Sequence, residues 1–166
     1  MKKVLKYSGI CAFVLALVGF ILMMATPAIL DKTGLGTIEY SGVVAIFGHK
    51  STGYLDPEYK AAALGLIAWI LILVGLIIVC AGIVLPLLKV KVLERFAGVL
   101  NLVAVICFVL AGVFMFIIVP NFYGANGWDV PNTAAIGGGW VVGGILSIVA
   151  GAVAICPAVV DFIEKK

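Results

Sequence analysis

Four carboxylates, Glu39, Asp56, Glu58 and Asp129, fall in the polar connections of the chain. A pair of them converging on a pocket would supply general acid/base chemistry, but that requires a fixed separation which their spacing along the chain does not set. Capping or solvated surface is the reading their positions favour. His49 is the only histidine and stands beside Lys50 in a run of turn-forming residues, with no second histidine or thiol in those connections to complete a metal-ligand set. It reads as a solvated turn residue, or at most a pH-sensitive contact. Cys11, Cys80, Cys107 and Cys156 lie inside apolar runs without CxxC or Cys/His spacing, and serve as small apolar residues. The glycine-rich run from Gly137 to Gly144 lacks the GK[ST] element and the preceding strand of a phosphate loop, so it points to helix packing. No catalytic, cofactor-binding or metal-binding residue is assigned, and no enzymatic activity is expected.

The elements that carry these residues belong to a bilayer. Apolar residues make up 64% of the chain, charged residues only 11%, and the mean hydropathy is +1.29, whereas a soluble domain is roughly a quarter charged. A chain of 17.4 kDa cannot hide that much apolar surface from water. Four runs, about 4–30, 61–88, 96–119 and 134–160, are long enough to cross a hydrocarbon core of about 30 Å at about 1.5 Å per residue. They form one membrane domain with connections at 31–60, 89–95 and 120–133.

Eight cations, Lys2, Lys3, Lys6, Lys89, Lys91, Arg95, Lys165 and Lys166, sit at the two termini and the short central connection, against three, Lys32, Lys50 and Lys60, in the longer ones. This asymmetry predicts both termini in the cytoplasm, with the plasma membrane as the default compartment. It also explains the basic balance without a nucleic-acid partner. None of the four runs holds an ionisable residue in its middle, which argues against a proton-coupled transporter or an intramembrane protease.

Small residues mark the packing faces. Gly9, Ala12, Ala16 and Gly19, continued by Thr26, line the first run. Ala68, Gly75 and Gly82 recur at heptad spacing in the second, as do Ala97, Ala104 and Ala111 in the third. In the fourth, Ala135, Gly139, Gly143, Ser147 and Gly151 follow at steps of four, a ridge that lets another backbone approach, either in the bundle or in a second subunit. Asn101 is the intramembrane polar candidate, suited to an interhelical hydrogen bond or to the inner mouth of a pore. In the first outer connection Thr37 to Ser41 alternates, Val43 to Phe47 is continuously apolar, and turn residues follow from Gly48 to Gly53, which predicts a small β-hairpin. Asp56, Pro57 and Glu58 form a helix-start signal, placing the second helix near Pro57, and Pro120 stops the third. Phe122, Tyr123 and Trp128 suit an interfacial aromatic belt. Tyr40, Phe47, His49, Tyr54 and Trp128 make up a candidate outer interaction surface.

Four spans, both ends inside, a longer first outer loop with strand character, the run Gly9 to Gly19 followed by Pro27, and Gly139-Trp140 opening a small-residue fourth span together resemble the claudin and PMP22 superfamily of tetraspan membrane proteins. The resemblance implies an all-α membrane protein, a left-handed four-helix bundle with a small β-hairpin cap in the first outer loop. The functional expectation is a non-enzymatic accessory, scaffold or interaction subunit whose partners are the lipid bilayer and another membrane protein or further copies of itself. The alternative is a small channel or facilitator lined by Asn101, Ser147 and Thr26.

Overall fold

The apolar runs fold mainly as helices, and a small sheet forms where two of them meet the polar connections. The computed structural model describes residues 2–52, 57–84 and 97–163. In chain order its elements are α1 (Lys2–Ala25), β1 (Pro27–Thr33), β2 (Gly36–Ser41), α2 (Gly42–Phe47), α3 (Ala63–Val84), α4 (Ala97–Phe116), α5 (Ile118–Asn126), β3 (Ala134–Ile136) and α6 (Gly138–Ile163). Four helices contain stretches long and apolar enough to cross a membrane: Tyr7–Ala25, Ala63–Val84, Gly98–Phe116 and Gly138–Cys156. The 22 residues of α3 span about 33 Å at 1.5 Å per residue. The basic connection from Lys89 to Arg95, on which the expected orientation rests, lies outside the described residues, as do Tyr54, Asp56 and Pro86.

The α6 helix is the centre of the bundle, packed against both α1 and α4, while α3 packs on α4 and only lightly on α1. Its glycines make this possible. A Cβ on Gly143 would lie 3.1 Å from Gly19 O, and one on Gly19 would lie 3.0 Å from Gly143 O, so the two backbones cross in direct contact. On the α4 side, a Cβ on Gly151 would fall 2.8 Å from Val109 Cγ2. In α3, Gly75 forms a notch for the Phe108 ring, 2.5 Å from where a Cβ would stand. Ala12, Ala16, Ala68, Ala104 and Ala111 are fully buried on the same internal faces.

Several boundaries differ from the sequence expectation, each for a local reason. The first helix ends at Ala25 rather than near Leu30. Proline disfavours helix in the residue before it and has no N–H of its own, so Pro27 turns the apolar residues Ala28 and Ile29 into a core-facing strand. The hairpin is therefore β1 with β2, in antiparallel register from Thr33 opposite Gly36 back to Ile29 opposite Tyr40. Its tip leaves Gly36 at φ +148°, a conformation L side chains rarely adopt. The expected second strand, Val43 to Phe47, is instead the short helix α2. Ser41 Oγ accepts from Val44 N at 3.3 Å at its start, and Gly48 N donates to Val44 O at its end. A short β-branched apolar run fits either state.

Further differences follow along the chain. The α3 helix begins at Ala63, not near Pro57, because His49 and Tyr59 exchange backbone hydrogen bonds of 2.7 and 2.8 Å and Ala62 N donates to Ala45 O, which holds this segment extended. Asn121 Oδ1 then accepts from Leu64 N at 2.9 Å, satisfying one of the free donors of the first turn. The third span breaks at Ile117 and restarts as α5, whose first turn accommodates Pro120 because N–H groups there need no intrahelical acceptor. The fourth opens with β3, which pairs antiparallel with β1 to complete the order β2-β1-β3.

Replacing Gly143 by leucine sets a side chain against the backbone of α1, which cannot yield as a flexible side chain would. Overpacking of this kind costs about 1–3 kcal/mol, and the thermal midpoint of helical circular dichroism in detergent should fall. Gly124→Ala, where a Cβ meets nothing within 4 Å, should leave it unchanged or slightly raised.

Candidate functional site

The sheet end of the molecule gathers most of the described polar side chains that hydrogen-bond over long range. Asp31, on β1, is 7% exposed. Its carboxylate accepts from Thr133 Oγ1 at 2.6 Å and from Tyr123 Oη at 3.2 Å, joining β1 to α5 and to the connection before β3. Backbone bonds run beside it, with Lys32 N donating to Thr133 O and Gly137 N to Ala28 O. Asn126 extends the same scaffold to the segment before α3: its Oδ1 accepts from Lys60 N at 2.8 Å and its Nδ2 donates to Phe122 O at 2.9 Å.

Around this network lie five rings. Phe122 is fully buried, with Tyr40 at 5.0 Å, Tyr123 at 6.0 Å, Tyr59 at 6.2 Å and Trp128 at 6.4 Å between centroids. These separations are those of aromatic rings in direct contact. An aromatic box for a cationic ligand holds its rings apart around a gap, and here Phe122 occupies that place. The Tyr40 and Tyr123 rings stand edge-on with centroids 6.3 Å apart. Burial holds both phenols above the ordinary tyrosine value. For Tyr40 the neighbouring Tyr59 adds to this, and for Tyr123 the charges of Tyr40 and Asp31 do.

The candidate residues are distributed as follows. Tyr40 and Trp128 belong to the aromatic cluster, and His49 joins it through its backbone bridge to Tyr59. Phe47 lies elsewhere, exposed on α2 and edge-on to Trp69 at 5.3 Å. Gly139 faces Thr26, whose Oγ1 donates to Leu22 O at 2.7 Å. Ser147 is fully buried beside Gly19, and Asn101 Oδ1 lies 3.3 Å from where a Cβ on Gly82 would stand. Ser147 and Thr26 thus lie along one helix contact, α1 with α6, and Asn101 lies in another, α3 with α4. Phe122 and Tyr123, expected at a lipid interface, are buried within the protein. Glu39, Glu58 and Asp129 are each exposed. Among the described residues no three His, Cys, Asp or Glu side chains gather as a metal site.

Sequence reasoning did not single out Asp31 or Thr133. An aspartate at the end of an apolar run is ordinary at a membrane boundary, and its partners stand 92 and 102 residues away. Long, apolar and internally packed, the four helices suggest a multi-pass membrane protein. No family model matches the chain, and no curated protein matches it.

Tyr123→Phe leaves the buried Asp31 carboxylate short of one donor, a loss of about 1–3 kcal/mol for a charged acceptor, read as a lower thermal midpoint. The raised phenols set the alkaline limit. Their contribution to stability is intact below the ordinary tyrosine value of 10.0 and is lost as pH rises beyond it, because the unfolded chain releases those protons first. Titration followed by phenolate absorbance should show a late fraction of the five tyrosines, reduced in Tyr40→Phe and in Tyr123→Phe.

Proposed function

We infer that this is a non-enzymatic, multi-pass membrane protein that acts as an accessory or interaction subunit, meeting a partner membrane protein or further copies of itself at the sheet end. The observation that carries this reading is the filled interior. Ile72, Phe108, Met115, Met23 and Trp140 are fully buried within one continuous core, and of the polar side chains expected to line a pore, Ser147 and Thr26 lie in the α1–α6 contact while Asn101 lies in the α3–α4 contact. The glycine ridge of α6 is likewise occupied by α1 and α4. Lipid-facing positions are bulky, among them Ile70, Val74 and Ile77 on α3 and Val142, Ile145 and Val149 on α6. What remains for recognition is the hairpin, the connection through Trp128 and the exposed side of α2.

The orientation in this reading places the sheet outside the cell and the lysine-rich termini inside, at the plasma membrane, in one left-handed bundle of the tetraspan kind. The W-GLW-C-C pattern of the claudin and PMP22 superfamily is absent from residues 31–60, which contain no tryptophan and no cysteine. That family's junctional roles are therefore no part of the proposal.

Crosslinking in native membranes followed by mass spectrometry tests it. The expected result is a reproducible adduct through residues of the sheet end, to a membrane protein or to a second copy. A strictly monomeric, unadducted protein overturns the reading. Reconstituted vesicles should remain impermeable to ions and small polar solutes, and measurable flux would favour the channel alternative instead.

A further inference from the structure

The sheet has one edge that no described element covers. In β1, Lys32 N and Ala28 O bond toward β3, so the alternate residues Ile29, Asp31 and Thr33 bond toward β2. Their register partners Tyr40, Ile38 and Gly36 therefore turn their backbone groups inward, leaving those of Thr37 and Glu39 directed away from the sheet. Natural edge strands are blunted by lysine, proline, a bulge or a covering element. The sequence Gly36-Thr-Ile-Glu-Tyr-Ser41 has neither lysine nor proline, its single charge is Glu39, and the irregularity in this ladder falls at its far end, between Pro27 and Ile29. The same strand carries Ile38, 47% exposed, and the adjoining hairpin tip presents Leu35 with its whole side chain in solvent.

We propose that β2 pairs antiparallel with β2 of a second copy of this chain, centred on Ile38. Three features select that occupant and that register. The outward groups of Thr37 meet those of Glu39 on the other copy, and reciprocally, giving about four interchain backbone hydrogen bonds. Ile38 faces Ile38 at the two-fold axis, covering exposed apolar surface. Charge also fits: Glu39 stands opposite the neutral Thr37 of the other copy, and Lys32, which neighbours Thr37 on β1, lies in the same cross-strand row as the other copy's Glu39. At about 4.8 Å per strand these two backbones are about 10 Å apart across a short threonine, within reach of the two long side chains. Centring the pair on Glu39 would oppose two like charges, and centring it on Thr37 would set Glu39 against Leu35.

This inference rests on the reading of the chain as an interaction protein, and it fails separately from it. Directly opposed residues of a non-hydrogen-bonded antiparallel pair have Cα atoms about 4.5 Å apart, which suits a disulfide, whereas positions separated by more than about 7 Å do not bridge. With the exposed thiols Cys11, Cys80 and Cys156 replaced by alanine, Ile38→Cys in mild detergent should form a disulfide-linked dimer on oxidation. Thr37→Cys and Glu39→Cys, each facing a different residue across the axis, should crosslink at least several-fold less. Adding Glu39→Pro, which removes an outward N–H without touching the β1 ladder, should abolish the Ile38→Cys dimer. Equal crosslinking at the three positions, no dimer at Ile38→Cys, or a dimer indifferent to Glu39→Pro overturns the pairing. Adducts to another membrane protein in native membranes, together with any of these results, would leave the interaction reading standing and the β2 pairing excluded.

Discussion

The C-terminus of α1 has to be sealed, and much of the molecule is arranged to seal it. A helix that stops at Ala25 leaves its last carbonyls short of intrahelical donors, and those that are buried need partners from elsewhere in the protein. Thr26 gives two donors to the single carbonyl of Leu22, from its N–H at 3.1 Å and its Oγ1 at 2.7 Å. The third comes from across the bundle: the indole of the fully buried Trp140 donates from Nε1 to Met23 O at 2.9 Å. For that ring to reach, α6 must approach closely, which is why Gly139 sits against Thr26. Gly42 passes over the same carbonyl, where any Cβ would collide with Met23 O. One set of polar requirements thus fixes the start of α6, the entry to α2 and the departure of β1.

From that fixed point the sheet is built outward. Gly42 N bonds to Thr26 O, so the hairpin returns beside the helix end from which it departed. Gly137 would meet Pro27 O with any Cβ, which brings β3 against β1 at the moment α6 begins. Asp31, Tyr123 and Thr133 then lock α5 to the sheet, and Asn121 and Asn126 tie the same short helix to the chain around α3. The break at Ile117 gives α5 a course of its own, and with it the ability to serve both partners. Burial of Asp31 is tolerated because two hydroxyls address its carboxylate.

The four spans were legible in the sequence because apolar length alone determines them. The packing faces were nearly as legible, since Ala68 and Gly75, or Gly143 and Ser147, announce close approach by size and spacing. The sheet end was harder. Ala28 and Ile29 carry the same apolar signal whether they end a helix or begin a strand, and Pro27 is the only local residue that separates the two. Val43 to Phe47 posed the same ambiguity, decided by Ser41 acting as a cap. Asp56, Pro57 and Glu58 make a sound helix-start signal on local grounds, but the pairing of His49 with Tyr59 and the cap offered by Asn121 moved the helix start to Ala63. Such decisions depend on contacts between residues far apart in the chain. No periodicity encodes them.

Two buried side-chain polar atoms among the described residues have no hydrogen-bond partner, Ser147 Oγ and Trp69 Nε1, and they differ in kind from the network around Asp31. Ser147 stands where Gly19 and Gly143 cross, with its Oγ 3.1 Å from where a Cβ on Gly19 would be. At such a crossing side-chain volume decides, and serine is among the few residues small enough to fit. Weak Cα–H contacts to the neighbouring carbonyls recur at helix crossings of this type. Trp69 is held between Phe20 and Phe47 as a ring among rings. Both act here through shape, so the interior achieves its fit by size and the sheet end by hydrogen bonding. Gly19, Gly75, Gly112, Gly143 and Gly151 accordingly each meet a neighbouring helix.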